Sequence, residues 1–137
     1  MTEQSSPGRW VHTETFPVRW GDQDAYGHVN NTVYFRFFEE ARIRWFAAQS
    51  LTATGDGEGP VIVATSATFR RELAFPASVR VEVFTGHAGN TSLETFYRVV
   101  DAEDDSLYAD GEARVVWISH ATGRPTPLPD QLRALSC

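Results

Sequence analysis

One short stretch of the chain, residues 19–31 (RWGDQDAYGHVNN), contains two carboxylates, a histidine and two asparagines. Asp24 can serve as a general base or as a nucleophile toward a carbonyl carbon. Histidine side chains titrate near neutral pH, so His28 can carry a proton or orient a substrate, with hydrogen bonding inside the loop as an equal alternative. Asp22 is interpreted as a loop former that accepts backbone N–H bonds. The stretch therefore predicts acid–base or acyl-transfer chemistry.

A helix is predicted directly after this stretch. Asn30 or Asn31 is suited to be its N-cap, and the apolar spacing predicts that it runs to about Ser50. The first N–H groups of a helix have no partner inside it, so those near Asn31 and Thr32 can stabilise a carbonyl oxygen that becomes an oxyanion. The predicted apolar face consists of Tyr34, Phe37, Phe38, Ala41, Trp45 and Ala48.

The polar face of the helix carries charges at regular spacing. Arg36, Glu40 and Arg44 follow one another at intervals of four residues, which suits ion pairing along a helix. Glu39 and Glu40 are accordingly interpreted as ion-pair partners for Arg36, Arg42 or Arg44.

Strands are predicted on both sides of the helix. Residues 13–20 alternate polar and apolar, with Phe16, Val18 and Trp20 on one side. Segments rich in β-branched and aromatic residues, separated by turn residues, predict four more strands at 61–73, 78–86, 91–100 and 107–119. This order predicts an α+β fold in which an antiparallel sheet curls around one long central helix.

The remaining segments complete a single predicted domain, residues 12–137. Residues 1–11 are interpreted as a flexible N-terminal tail, residues 52–60 as a loop rich in glycine and acidic residues, and residues 130–135 as a last helical turn.

Composition argues against several classes of function. The formal net charge of the 137 residues is −6 and the twelve basic residues are scattered, which argues against nucleic acid or an acidic membrane as the main partner. The single cysteine, Cys137, permits no disulfide within the chain. Residues 1–8 lack the apolar core of a secretory signal, and no apolar run reaches the ~20 residues that span a bilayer. We expect a cytoplasmic protein without a metal or cofactor.

The string Asp22-x-Asp24-x-x-Gly27-His28-Val29-Asn30-Asn31-x-x-Tyr34, followed by Glu39-Glu40-Ala41-Arg42, resembles the hotdog-fold acyl-CoA thioesterases, within them the 4-hydroxybenzoyl-CoA thioesterase-like group. The resemblance covers roughly residues 13–130. It implies a five-stranded antiparallel sheet wrapped around the helix, hydrolysis of an acyl thioester to free acid and thiol, and Asp24 as the catalytic carboxylate. It also implies homodimers joined sheet edge to sheet edge, assembled into homotetramers, with active sites between subunits.

An acyl-CoA substrate requires cationic anchors for its phosphates. Arg70 and Arg71, beside a turn at the end of a predicted strand, are the best candidates. A thioester of an acyl carrier protein is the alternative substrate. The other candidate substrate-binding residues are Tyr26, Asn30, Tyr34 and Phe38.

Two alternative functions remain open on the same fold. An enoyl-thioester hydratase or dehydratase pairs an aspartate and a histidine in an Asp-x-Asn-Pro-x-His string, which this sequence lacks. A non-catalytic acyl-CoA-binding regulator carries an additional DNA-binding helix-turn-helix, for which the chain has neither room nor basic charge. The motif at residues 22–31 favours hydrolysis.

Overall fold

The computed structural model describes residues 8–51 and 57–137. Five strands form one antiparallel sheet in the order β1-β3-β4-β5-β2, and one long helix packs on it, which confirms the predicted α+β architecture. The elements in chain order are β1 (Arg9–Pro17), a 3-10 turn (Trp20–Asp22), α1 (Asn31–Ala48), β2 (Glu58–Phe69), β3 (Ser78–Ala88), β4 (Ser92–Asp101), β5 (Leu107–Ser119) and α2 (Asp130–Ala134). No helix in these described segments is long and apolar enough to cross a membrane.

Helix α1 covers the sheet with the face that its apolar spacing predicts. Asn30 is the N-cap, with an extended backbone and a side chain that accepts the N–H of Thr32. Ala48 was expected on the buried face but is exposed, because the larger Trp45 and Phe46 fill that end of the core. The buried residues of the helix are Val33, Tyr34, Phe37, Phe38, Ala41, Arg42, Trp45 and Phe46.

Aromatic rings join the helix to the strands beneath it. Phe38 stacks on Tyr97 of β4 with ring centroids 4.8 Å apart, and Phe37 stacks on Phe16 of β1 at 5.8 Å. Gly111 of β5 faces the same side of the sheet, close to the Phe38 ring. Ring stacking and apolar burial together fix the position of the helix over the sheet.

The first strand differs from its predicted bounds. β1 begins at Arg9, so residues 9–11, expected in the tail, lie in the strand, where Arg9 is paired with Thr85 and Trp10 with Phe84. Residues 1–7 lie outside the described residues. Trp20, expected on the buried side, is 75% exposed, because the strand ends at Pro17 and the chain turns into the short 3-10 segment.

The second strand is displaced toward the N-terminus of its predicted range. Residues 58–60, expected in a loop, begin β2, since Gly59 and Pro60 are paired with Ile118 and Trp117 of β5. The strand ends at Phe69, so Arg70 and Arg71 follow it instead of lying within it. Residues 52–56 of the predicted loop lie outside the described residues.

Strand β2 forms one edge of the sheet, and among the described residues β5 is the one strand bonded to it. Ile62, Val63 and Phe69 are exposed by 37%, 56% and 39% of their surface, an unusual exposure for large apolar side chains in a strand. Such an edge leaves backbone N–H and C=O groups available for another strand.

Replacement of Gly111 by alanine tests the contact between helix and sheet. An added Cβ would lie 2.5 Å from the Ser66 carbonyl oxygen and 2.6 Å from the Phe38 ring, so backbone and core must shift. We expect Gly111→Ala to lower the free energy of unfolding by about 1–3 kcal/mol, as overpacked cores do. The matched control is Gly21→Ala, where an added Cβ has nothing within 4 Å. Equal urea midpoints for the two variants would contradict the contact.

Candidate active site

The loop that carries the predicted catalytic residues is closed by Asp22. This side chain is 4% exposed, and its Oδ2 accepts the backbone N–H of Arg19 at 2.8 Å, while its Oδ1 lies 3.3 Å from the Arg19 guanidinium. The carbonyl of Asp22 accepts the N–H of Asn30 at 2.9 Å. The interpretation of Asp22 as a loop former is confirmed, and the loop leads directly into Asn30, the N-cap of α1.

Asp24 lies within this closed loop, with an exposed carboxylate. Its Oδ1 accepts the N–H of Tyr26 at 2.9 Å and that of His28 at 3.4 Å, and its own N–H donates to the carbonyl of His28 at 2.8 Å. All described hydrogen bonds of the carboxylate therefore go to Oδ1. Within the described residues Oδ2 has no hydrogen-bond partner, so it is available to a water molecule or a substrate.

Asp24 forms part of a cleft of about 290 Å³ between two segments of the chain. One wall is the loop and the start of α1, and the other is the segment that leaves β2. The N–H of Val29 donates to the carbonyl of Leu73 at 2.7 Å and joins the two walls. The lining residues are Asp24, His28, Val29, Asn31, Tyr34, Phe69, Arg70, Arg71, Glu72 and Leu73.

The start of α1 offers one free N–H group to this cleft. Asn30 Oδ1 accepts both the N–H and the hydroxyl of Thr32 at 2.9 Å, and the Asn30 carbonyl accepts the N–H of Val33. Thr32, predicted as an oxyanion donor, therefore has its N–H engaged by the cap. The N–H of Asn31 has no acceptor among the described residues and lies at the positive end of the helix dipole.

Tyr34 supplies a buried phenol at the base of the cleft. Its ring meets that of Phe69 edge to face, with centroids 5.1 Å apart. Burial first, and the neighbouring Tyr108 second, raise the pKa of Tyr34 to about 12. The phenol is therefore neutral in the physiological range and retains its O–H donor.

The two arginines after β2 have different environments. Arg70 Nε and Nη2 donate to the two carboxylate oxygens of Asp110 at 2.9 and 3.2 Å, and this hydrogen bonding raises the pKa of Arg70. The Arg71 guanidinium lies 5.5 Å from the centroid of the Tyr108 ring and, within the described residues, has no carboxylate at ion-pair distance. Asp101 and Asp104 interact electrostatically with Arg71 over a longer distance. Because neither is in direct contact with it, Arg71 is freer than Arg70 to bind an anionic ligand.

Four other predicted site residues lie outside the cleft. Tyr26 is 86% exposed on the loop, and Asn30 acts as the helix cap. Phe38 is 1% exposed and packs in the core against Tyr97, although its edge reaches a second groove, between α1 and β2. Thr32 lines that same groove. The cleft therefore brings together Asp24, His28, Asn31, Tyr34, Arg70 and Arg71.

The structure adds Glu72 to the cleft, which the sequence did not identify. Its Oε2 lies 3.3 Å from Nδ1 of His28. The two residues belong to segments far apart in the chain, so no local pattern signals their contact. The charged run at residues 70–72, directly after a strand, was the available hint.

Comparison with known proteins identifies the family. The model of the thioesterase-like superfamily matches residues 18–135. The chain belongs to this superfamily.

Solved structures of similar proteins agree with this membership. The PA2801 protein of Pseudomonas aeruginosa, a thioesterase candidate, is 43% identical, with a TM-score of 0.88, over 92% of this chain and 98% of its own. An acyl-CoA thioesterase candidate from Xanthomonas campestris is 35% identical, with a TM-score of 0.79, over 88% of this chain and 100% of its own. The 1,4-dihydroxy-2-naphthoyl-CoA thioesterase Slr0204 from Synechocystis, at 21% identity and a TM-score of 0.82 over 92% and 95%, shares the fold. The resemblance to hotdog-fold thioesterases is confirmed, and thioester hydrolysis is the activity that these relatives support.

The raised pKa of Tyr34 predicts a loss of stability in alkali. In the unfolded chain this phenol ionises near its ordinary value of 10.0, whereas in the fold its pKa is about 12. The resulting stabilisation is complete below pH 10 and declines as the pH rises from 10 toward 12. We expect Tyr34→Phe to abolish this part of the decline, so that the wild-type protein loses stability relative to the variant between pH 10 and 12. Urea unfolding across that range measures the difference, and parallel curves would contradict the assignment.

Proposed function

We propose that the protein hydrolyses acyl-CoA thioesters in the cleft at the start of α1. The observation that carries this proposal is the meeting of three groups in one cleft: the Asp24 carboxylate, the N–H of Asn31 and the guanidinium of Arg71. Among the described residues, Asp24 Oδ2 and the Asn31 N–H have no hydrogen-bond partner, and Arg71 has no carboxylate at ion-pair distance. Thioester hydrolysis requires an attacking oxygen, a donor for the oxyanion and an anchor for the anionic carrier. The membership of the thioesterase-like superfamily supports the same reaction.

The reaction begins with the thioester carbonyl oxygen directed at the N–H of Asn31. Asp24 then acts either as a general base that removes a proton from the attacking water, or as a nucleophile that forms a mixed anhydride later hydrolysed by water. In both routes a C–O bond forms at the carbonyl carbon and the C–S bond breaks. The thiol leaves as a thiolate, since thiols of this kind have a pKa near 8.5, and takes its proton from solvent. His28, held near Glu72, orients the water or the substrate.

The anionic part of coenzyme A is bound at the opposite wall of the cleft. Arg71 is the proposed phosphate anchor, because Arg70 already donates to both oxygens of Asp110. An acyl carrier protein would present the phosphate of its phosphopantetheine arm to the same guanidinium. The rates of hydrolysis of an acyl-CoA and of the corresponding carrier-protein thioester tell the two substrates apart.

The proposed active form is a homodimer joined through the β2 edge, with pairs of dimers forming a tetramer. The exposed Ile62, Val63 and Phe69 on that edge strand support the dimer. Phe69 also lines the cleft, so a second chain at this edge would border the site.

Replacement of Asp24 tests the carboxylate. We expect Asp24→Asn to lower kcat by about 10²–10⁴-fold, the usual contribution of a positioned acid–base group, with the fold retained. Thiol release from short, medium, long and aromatic acyl-CoAs is the measurement, and Asp130→Asn, on the exposed start of α2, is the control. Equal turnover by wild type and Asp24→Asn would make Asp24 structural. The absence of turnover by wild type on every acyl-CoA would leave carrier-protein thioesters or ligand binding as the function.

The two arginines offer a matched pair of variants. We expect Arg71→Gln to raise KM for acyl-CoA about 10-fold with a smaller change in kcat, because it removes a charge-assisted contact to phosphate. Arg70→Gln should affect KM less, since its guanidinium is bound to Asp110. Steady-state kinetics at low and high salt separates the two. A larger effect at Arg70 would contradict the assignment.

A further inference from the structure

Arg42 is a buried cation that the proposed hydrolysis does not use. Its side chain is only 9% exposed, and its Nη1 donates to the hydroxyl of Tyr97 at 3.0 Å. The guanidinium also lies 5.8 Å from the centroid of the Tyr97 ring. No carboxylate within the described residues lies at ion-pair distance from it. A buried charge without a counter-charge is costly, so the geometry indicates an anion from outside the described chain.

The side chain of Arg42 borders a groove between α1 and β2. Two adjoining cavities, of about 390 and 270 Å³, form this groove, and Glu39, Arg42 and Ile62 line both of them. Glu39 is exposed and, within the described part of the chain, has no cation at ion-pair distance. Residues three apart on a helix lie on the same face, so one face carries a carboxylate and a guanidinium. Within the described residues the two are not at ion-pair distance from each other or from any other opposite charge.

The groove runs beside the free edge of the sheet. Ile62, which lines it, lies near the middle of β2. Suppose that a two-fold axis through the middle of this strand relates the chain to a second copy. The part of α1 that carries Glu39 and Arg42 would then lie opposite the same part of α1 in the second copy. In such an isologous interface every contact occurs twice: if residue i of the first copy contacts residue j of the second, residue j of the first also contacts residue i of the second. One carboxylate and one guanidinium on each face would thus form two ion pairs.

We propose that a second copy of this chain docks at the β2 edge through reciprocal ion pairs, in which Glu39 of each protomer meets Arg42 of the partner subunit. The inference rests on the homodimer of the proposed function and specifies the contact that sets its register. The exposed side chain of Ile62 lines the same groove as Glu39 and Arg42 and would be buried beside the contact.

The pairing also bears on the groove between α1 and β2. The 390 Å³ cavity extends from Thr32, beside the helix start, to Arg42, ten residues along the helix, a rise of about 15 Å. A partner held at Glu39 and Arg42 would close this open groove along its length. The ion pairs would therefore form part of the wall that encloses the groove.

Complementary charge reversals test the proposal. In Glu39→Lys the introduced lysine would face Arg42 of the partner subunit, and in Arg42→Glu the introduced glutamate would face the partner's Glu39. We expect each variant alone to raise the dimer dissociation constant about 100-fold or more, since opposed like charges cost several kcal/mol. An equimolar mixture restores both pairs, so it should form a heterodimer. Sedimentation velocity over a concentration series measures all three samples.

The matched control is Glu40→Lys, which reverses a neighbouring carboxylate that lies 4.0 Å from Arg44 of its own chain. We expect this variant to dimerise like wild type. Because Arg42 is buried, Arg42→Glu requires a circular dichroism check, and if it does not fold, the contrast between Glu39→Lys and Glu40→Lys decides the question.

Several outcomes would overturn the pairing. A monomeric wild type, a Glu39→Lys variant with the wild-type dissociation constant, or two folded variants that do not combine would each contradict it. An unchanged dimer in Glu39→Lys would instead assign Arg42 to a ligand carboxylate. Acyl-CoA hydrolysis is measured separately, so a dimer that follows these expectations without releasing thiol would overturn the proposed activity and leave the pairing intact.

Discussion

The geometry of the cleft depends on the burial of one carboxylate, that of Asp22. The Asp22 side chain binds the backbone N–H and the guanidinium of Arg19 at one end of the loop. The backbone carbonyl of Asp22 accepts the N–H of Asn30 at the other end. Because a buried carboxylate must be satisfied by donors, the loop has little freedom to open. The helix consequently starts at a defined residue. Asp24 then lines the same cleft as Asn31, whose N–H has no acceptor among the described residues. Asp22 therefore supports the site without lining the cleft.

A second constraint is that a single long helix covers the five-stranded sheet. Its buried face carries five aromatic residues, of which Phe37 stacks on β1 and Phe38 on β4. A groove between the helix and β2 remains open. The open side contains a free strand edge, exposed apolar side chains and a buried guanidinium. These features share one origin, because a sheet wider than its helix leaves apolar surface that another molecule must cover.

The sequence was sufficient for the fold, since helix periodicity, capping residues and strand alternation are local signals. The prediction was wrong at Trp20, where the polar–apolar alternation continues by coincidence beyond the end of the strand. It also missed contacts between segments that are distant in the chain. Arg70 and Arg71 are adjacent and chemically identical, and only the position of Asp110 on the neighbouring strand separates them. The contact of Glu72 with His28 is likewise a product of the fold, as is the engagement of the Thr32 N–H by Asn30.

The strand order also sets a gradient of local stability across the molecule. Strand β4 is bonded on both sides and contributes fully buried side chains, whereas β2, within the part of the chain that the structure describes, is bonded on one side. Amide protons of β4 should therefore exchange with solvent most slowly, and those along the outer edge of β2 should exchange early only where no second copy covers that edge. The segment at residues 69–73 continues from this edge strand and forms one wall of the cleft. A second copy docked at the β2 edge would therefore also steady this wall, so that assembly and the shape of the cleft are linked through one strand.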